Sequence, residues 1–183
     1  VLQVNGKVRG HITVPTGMNQ KELEARVLAD PQVLKFTEGK TIRKVIVVPT
    51  DAPITKLDST RGYGADIVTY DRYKEDRVAI AMAIAKRDGL SPIPAYDDFD
   101  VMAGQGTSAL ELFADVPDLD VFLAPVGGGG LMAGCATVAS ALRPSIKIFG
   151  VEPEAGNDTQ RSFKTGERIT IPVPQTIADG QTY

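Results

Sequence analysis

Four consecutive glycines, Gly127 to Gly130, constrain this chain more than any other feature of its sequence. They join an apolar run that ends at Val126 to a helical pattern that begins at Leu131. Without Cβ atoms the backbone can approach a ligand, its amides can converge, and the helix N-terminus adds positive potential. A tight crossover without a ligand also fits, but four glycines cost backbone entropy that a turn does not require. We therefore predict that a phosphate-bearing small molecule binds at Gly127, Gly128, Gly129, Gly130 and Leu131.

The spacing around these glycines leaves the identity of the phosphate compound open. The Walker pattern of a glycine, four residues and then Gly-Lys-Ser/Thr does not occur in the sequence. Gly128-x-Gly130-x-x-Ala133 fits a loose dinucleotide fingerprint, and Glu152 at the end of the next predicted strand could bind a ribose. Nucleotide binding is therefore an alternative.

The second part of the chain alternates predicted strands and helices. Apolar, β-branched runs predict strands over 65–70, 120–126 and 146–151 and a short strand at Ile93. Asp51 and Asp71 are each predicted to cap the helix that follows them, and further helices are predicted over 107–113 and 131–142. This alternation is typical of βαβ units, so we predict an α/β fold with a mostly parallel sheet.

The first part of the chain is basic and the second part is acidic. Residues 1–49 contain eight Lys/Arg and four Asp/Glu, a net charge of +4, and the remainder carries −7. Such a shift predicts different partners for the two segments.

The basic segment is predicted to be a small αβ module. Asn5-Gly6 indicates a β-hairpin. Asn19 and Glu22 indicate a helix with a capped N-terminus, and the β-branched residues over 42–48 indicate a strand. Lys7, Arg9 and His11 alternate along the hairpin and form either a solvated strand face or a contact surface for nucleic-acid phosphate.

Composition excludes several classes of protein. One cysteine and one histidine rule out a disulfide framework and zinc sites built from cysteine or histidine clusters. No apolar run approaches ~20 residues, so no membrane span is predicted. The start has no charged-then-apolar leader, and we expect a cytoplasmic protein.

Residues 1–49 carry three strings that closely resemble the C-terminal domain of bacterial leucyl-tRNA synthetases. They are Gln3-Val4-Asn5-Gly6-Lys7-Val8-Arg9-Gly10, Ile12-Thr13-Val14-Pro15, and the stretch from Gly39 to Pro49. The resemblance implies a module that packs against tRNA, with weak phosphate contacts at Lys7 and Arg9.

Residues from about 45 to 183 resemble the threonine/serine dehydratases and serine racemases, which are pyridoxal-phosphate enzymes of fold type II. The strings that carry this resemblance occur in family order: Val48-Pro49-Thr50-Asp51-Ala52-Pro53, Arg61-Gly62-Tyr63-Gly64-Ala65, Tyr70-Asp71-Arg72-Tyr73, Ala103-Gly104-Gln105-Gly106-Thr107, Pro125-Val126-Gly127-Gly128-Gly129-Gly130-Leu131, the stretch from Val151 to Asp158, and Thr176-Ile177-Ala178-Asp179-Gly180.

The dehydratase resemblance implies that the tetraglycine loop holds the phosphate of pyridoxal phosphate. It also implies a Mg²⁺ or Ca²⁺ site at the Glu152 and Asp158 carboxylates with the Gly156 carbonyl, a set of oxygen ligands that suits a hard cation. Apart from the resemblance, the two acids are surface residues. It implies a small-domain part over 50–100 and a large-domain part over 101–183.

The lysine that forms the Schiff base in this family lies in a Ser-x-Lys-x-Arg context, which does not occur here. Lys35, in Leu34-Lys35-Phe36-Thr37, is given no catalytic role, and no catalytic residue is assigned. We therefore interpret the chain as a chimera of segments 1–49 and 50–183, engineered or, alternatively, a natural fusion.

Three functions follow from this interpretation. The first is a dehydratase fragment that retains phosphate or cation binding without turnover. The second is a tRNA-binding module, and the third is an active dehydratase or racemase completed by another chain. Strands of the dehydratase family have no counterpart in this sequence, so the resemblance implies uncovered apolar surface around Val121-Phe122-Leu123 and Ile146–Ile148. We therefore predict self-association into a homo-oligomer.

Overall fold

The computed structural model of the chain describes residues 2–4, 7–15 and 17–182. Contacts divide the chain into two compact units, Val1–Ile93 and Pro94–Tyr183. Within the described residues the strands form three two-stranded sheets. The helices and strands are, in chain order, β1 (Leu2–Val4), β2 (Lys7–Gly10), α1 (Gln20–Leu28), α2 (Pro31–Thr37), β3 (Lys44–Pro49), α3 (Ile54–Gly62), β4 (Ala65–Tyr70), α4 (Arg77–Asp88), α5 (Phe99–Asp115), β5 (Val121–Pro125), α6 (Gly130–Leu142), β6 (Lys147–Val151) and α7 (Asp158–Thr165).

The first unit begins with the predicted antiparallel pair of strands. β1 pairs with β2, and Val4 lies opposite Lys7 in the register. The Asn5-Gly6 turn predicted between them lies outside the described residues. α2 packs against both strands, and the side chains of Leu2 and Val33 are 2% and 3% exposed. Leu2 in β1 and Val33 in α2 are therefore the buried apolar residues described in residues 2–37.

The cap predicted for the first helix is confirmed. The Asn19 side chain accepts a hydrogen bond from the backbone N–H of Glu22 at 3.0 Å, and the chain becomes helical at the next residue, Gln20. This geometry satisfies one of the backbone donors that every helix N-terminus leaves without an intrahelical partner.

A parallel βαβ unit follows, made of β3, α3 and β4. Lys44 pairs with Ala65, and the register continues without a break to Pro49 and Tyr70. β4 spans the residues predicted from the sequence. The strand that ends the basic segment therefore pairs with the first strand of the acidic segment. The boundary predicted at residue 49 concerns the origin of the segments and stays a prediction.

The prediction that Asp51 caps a helix was wrong. Its carboxylate accepts a hydrogen bond from Arg72 Nε at 2.9 Å, and α3, which is fully described, has no side-chain cap hydrogen bond.

The prediction that Asp71 caps the next helix was also wrong, because its carboxylate accepts the Tyr73 N–H within a turn. That bond, together with the Lys74 ammonium, holds the pKa of Asp71 below its usual range. Asp76 is the actual cap of α4, and it accepts from the backbone N–H groups of Val78 and Ala79. Ile93, predicted as a strand, lies in a described stretch without regular structure.

The second unit contains another parallel βαβ arrangement, made of β5, α6 and β6. Val121 pairs with Lys147, and the register runs to Pro125 and Val151. One face of this sheet packs on α5 and α6. The buried members of this core are Ala109, Phe113, Phe122, Ala124, Cys135 and Ala139. The predicted α/β class with parallel strand pairs is confirmed.

The apolar residues predicted to be uncovered divide into two groups. Phe122 is 7% exposed and belongs to the core, and Ile146 and Ile148 pack against that core, so the prediction was wrong for these three. Val121 and Leu123 are 41% and 61% exposed. The difference follows from strand geometry, because successive side chains point to opposite faces of the sheet.

Candidate anion site at the glycine loop

The glycine loop connects the end of β5 to the first turn of α6. Val126 is 6% exposed and donates its backbone N–H to the carbonyl of Val151 at 2.9 Å, which fixes the start of the loop against β6. Gly129 is the N-cap residue of α6, a helix whose described residues receive no side-chain cap hydrogen bond. The first-turn N–H groups of α6 therefore point past the end of the helix, as at any uncapped N-terminus.

Three of the four glycines have distinct steric reasons to be glycine. Gly129 has φ of +87°, in the left-handed region that L side chains rarely adopt. A Cβ on Gly128 would overlap the ring of Tyr96, and a Cβ on Gly130 would lie 2.8 Å from the Tyr96 carbonyl oxygen. Backbone conformation at Gly129, and packing against Tyr96 at Gly128 and Gly130, thus explain why these three residues lack side chains.

The electrostatics of the loop suit an anion. The N-terminus of α6 carries the positive end of the helix dipole, equivalent to about half an elementary charge. The first turn, Gly130 to Ala133, contains no acidic residue. Together with four residues that carry no side chains of their own, these properties fit a phosphate group. Phosphate binding at Gly127 to Leu131 stays a prediction, and the geometry of the loop is compatible with it.

Glu152 caps a helix in the structure. Its two carboxylate oxygens accept the backbone N–H groups of Thr159 at 3.1 Å and Gln160 at 2.8 Å, in the first turn of α7. Gly156 is buried, and its N–H donates to the Pro153 carbonyl. An open depression of about 350 Å³ adjoins these residues, lined by Gly150, Val151, Glu152, Glu154, Asn157 and Gln160.

Over the part of the chain that it describes, the structure does not place a cluster of metal-binding side chains at the predicted cation site. Among the described residues, no three His, Cys, Asp or Glu side chains are grouped so as to hold a metal ion. Binding of Mg²⁺ or Ca²⁺ by Glu152, Asp158 and the Gly156 carbonyl stays a prediction. It would require Glu152 to share its oxygens between the cation and the helix.

Arg9, predicted to contact tRNA phosphate, lies in an aromatic contact. Its guanidinium carbon is 4.6 Å from the centroid of the Phe36 ring, within the range of a cation–π interaction. The Arg9 side chain is exposed, as is that of His11. The side chain of Lys7 lies outside the described part of the structure. Phosphate contact at Lys7 and Arg9 stays a prediction.

Tyr96 is the residue of this site that sequence reasoning missed. It lies in the second unit, just before α5, and its ring and backbone contact the glycine loop. The contact joins residues 32 positions apart in the chain, and no local pattern marks it. A tyrosine among prolines and aspartates resembles an ordinary loop residue.

As for the membrane, none of the helices among the described residues combines the length and the apolar character needed to cross a bilayer.

Comparison with known proteins identifies the family. A family model described as "Pyridoxal-phosphate dependent enzyme" matches residues 39–182. The L-threo-3-hydroxyaspartate ammonia-lyase of Saccharomyces cerevisiae is 55% identical over 135 residues, which are 74% of this chain and 41% of that protein. The serine racemase of Schizosaccharomyces pombe is 41% identical over 186 residues, 95% of this chain and 56% of that protein. The solved structure of maize serine racemase has a TM-score of 0.72 at 36% identity and covers 77% of this chain and 43% of its own.

These comparisons support one half of the predicted resemblance and not the other. The alignment with the Schizosaccharomyces pombe racemase covers 95% of this chain, so it includes most of residues 1–49. The synthetase resemblance of that segment, and with it the chimera, gains no support. The chain spans about half the length of the curated relatives it matches. On the family model and the fold that it shares with solved serine racemases, the chain belongs to the pyridoxal-phosphate dependent enzymes.

Proposed function

We propose that this chain binds the phosphate of pyridoxal phosphate at the glycine loop and represents the cofactor-phosphate part of an enzyme acting on small hydroxyl-bearing amino acids. The observation that carries the proposal is the loop itself, which runs from the end of the parallel strand β5 to the uncapped N-terminus of α6. The substrate class follows from relatives named as ammonia-lyases and serine racemases. When bound, the cofactor supplies an electron sink for the substrate α-carbon.

We propose further that the chain alone does not turn over substrate. The Ser-x-Lys-x-Arg context of the covalent lysine does not occur in its sequence. Ser162 and Lys164 reproduce the first part of it, but Gly166 stands in the place of the arginine. The Ser162 hydroxyl donates to the Asp158 carbonyl and accepts the Ile169 N–H, so it serves the local structure of α7.

Cofactor binding can be tested with a matched pair of substitutions at Leu131, in the first turn of α6. Leu131→Asp places a negative charge beside the proposed phosphate, and Leu131→Asn removes the same apolar contact without the charge. We expect pyridoxal phosphate, measured by equilibrium dialysis, to bind at least ~10-fold more weakly to the aspartate variant, about 1.4 kcal/mol. Equal affinities would contradict a phosphate at this loop.

The phosphate contribution can be isolated with pyridoxal, which lacks that group. We expect pyridoxal to bind more weakly than pyridoxal phosphate. Inorganic phosphate should compete with pyridoxal phosphate for binding but should not compete with pyridoxal. If pyridoxal binds as well as its phosphate, the glycine loop is not the determinant of binding.

Turnover is tested with serine or threonine and added pyridoxal phosphate. We expect no release of pyruvate or 2-oxobutyrate by the chain alone. The alternative function, an active lyase or racemase completed by another chain, is favoured by the greater length of the relatives. It predicts product release whose specific rate rises with protein concentration. Borohydride reduction followed by peptide mapping would identify any lysine that holds the cofactor.

A further inference from the structure

We propose that Tyr96 is a positioning residue for the glycine loop, and that it holds Gly128 and Gly130 where their amides converge on a phosphate group. This inference rests on the proposed phosphate site and adds a residue to it. Tyr96 lies directly on the loop, because a Cβ on Gly128 would overlap its ring. A Cβ on Gly130 would lie 2.8 Å from its carbonyl oxygen and 2.9 Å from its Cα.

Tyr96 is itself anchored to the start of α5. Its carbonyl accepts the Asp98 N–H at 2.9 Å. Asp98 is the N-cap of α5, and its carboxylate accepts the backbone N–H groups of Asp100 and Val101 at 2.9 and 3.1 Å. The tyrosine is therefore tied by two steps of hydrogen bonding to a seventeen-residue helix.

The same helix packs on the one that the loop begins. α5 and α6 make close backbone contact, since a Cβ on Gly106 would lie 3.0 Å from the Gly134 carbonyl oxygen. The loop is thus held from two sides, by covalent continuity with α6 and by Tyr96 fixed to α5. Both supports belong to the second unit.

A glycine loop needs such support more than other loops do. Glycine loses more backbone freedom on ordering than any other residue, and a ligand that must order the loop loses affinity accordingly. Ordering one residue costs about as much as a tenfold change in affinity. A side chain that fixes the loop beforehand therefore strengthens anion binding without touching the anion.

The contact also explains a difference between neighbouring glycines. Gly129 has a positive φ and open space beside it, whereas the three atoms nearest to a Cβ on Gly128 all belong to the Tyr96 ring. An alanine at position 128 is therefore excluded by the tyrosine and not by backbone conformation. This makes the two positions energetically coupled, which can be measured.

The experiment measures binding of pyridoxal phosphate and of inorganic phosphate to the full chain and its variants by equilibrium dialysis. We expect Tyr96→Ala to weaken both about tenfold, and Tyr96→Phe to restore the affinity because the ring carries the contact. Tyr73→Ala, which removes a side chain 65% exposed in the first unit, is the matched control and should bind normally.

A double-mutant cycle tests the contact from the loop side. Gly128→Ala should weaken phosphate binding strongly in the wild-type background and much less in the Tyr96→Ala background, where the ring is gone. If the Tyr96→Ala protein does not fold, the same cycle can be measured with Tyr96→Leu, which also removes the ring. Additive effects would overturn the proposed contact.

The outcomes separate this inference from the proposed function. If the wild-type chain binds pyridoxal phosphate and Tyr96→Ala binds it equally well or more tightly, the positioning role is overturned while the phosphate site stands. If neither protein binds pyridoxal phosphate or phosphate, the proposed site fails and the role of Tyr96 fails with it.

Discussion

Gly106 and Gly134 face each other across the contact between α5 and α6, with no room for a side chain between them. A Cβ on Gly134 would lie 2.7 Å from the backbone nitrogen of Gly106 and would overlap the Met102 carbonyl oxygen. Both obstacles are backbone atoms, which cannot rotate away as a flexible side chain can. The two helices therefore pack backbone to backbone beside the core residues Ala109 and Cys135.

We expect Gly134→Ala to lower the free energy of unfolding by about 1–3 kcal/mol, because overpacking a tight helix contact costs more than alanine's helix propensity returns. Urea denaturation measures the difference. Gly62→Ala in α3 is the matched control, since nothing lies within 4 Å of the added Cβ. It should be neutral or slightly stabilising. A Gly134→Ala protein as stable as wild type would show that the helices are not in this contact.

Glu152 should stabilise α7 through its two backbone hydrogen bonds. We expect Glu152→Ala to cost about 1 kcal/mol, as loss of a helix cap does, and Glu152→Gln to cost less because one oxygen still accepts a bond. Thermal unfolding measures both. If the predicted cation site exists, Mg²⁺ or Ca²⁺ raises the midpoint of the wild-type protein and not of Asp158→Asn, which retains the cap. If neither Mg²⁺ nor Ca²⁺ changes the unfolding midpoint of the wild-type protein, the predicted cation site is contradicted.

Cys135 links stability to pH in the alkaline range. Its side chain is 2% exposed, and burial raises the pKa of the thiol above its usual value. The unfolded thiol ionises first, at about pH 8.5, so stability falls as the pH rises above that point. We expect the urea midpoint to fall more between pH 8 and pH 10 in the wild-type protein than in Cys135→Ala. An identical fall in both proteins would assign the effect to other groups.

Self-association is expected through the face of the β5–β6 sheet that points away from the core. Leu123 and Phe149 are 61% and 51% exposed there, and parallel sheets normally have both faces covered. We propose a second copy of the chain as the partner. Light scattering should show a concentration-dependent mass that Leu123→Lys combined with Phe149→Lys lowers. Ile54→Lys, at an apolar position 64% exposed in the first unit, should leave it unchanged. A wild-type monomer at high concentration contradicts the proposal.

Some features that depend on neighbouring residues were predicted correctly, although the Asp71 cap was not. The Asn19 cap and the strand Ala65–Tyr70 follow from local patterns, namely a polar cap before a helical stretch and a β-branched run between turns. The glycine loop was also placed correctly between a strand and a helix, because its flanking patterns differ in period.

Features that depend on distant residues were not predictable in this way. Aspartate is a residue type that often caps helices, but the Asp51 carboxylate accepts a hydrogen bond from Arg72, 21 residues away. Ile93 has a β-branched side chain but no described strand beside it, and a strand requires a partner. The role of Tyr96 against Gly128 likewise depends on a contact that only the tertiary structure brings about.

The second unit contains the glycine loop, Tyr96 and the core of α5 and α6 within one contiguous stretch of chain, Pro94–Tyr183. The residues of the proposed phosphate site therefore lie close together in the gene. A rearrangement that preserves the coding sequence for residues 94–183 would carry all of them together, whatever sequence it placed before them.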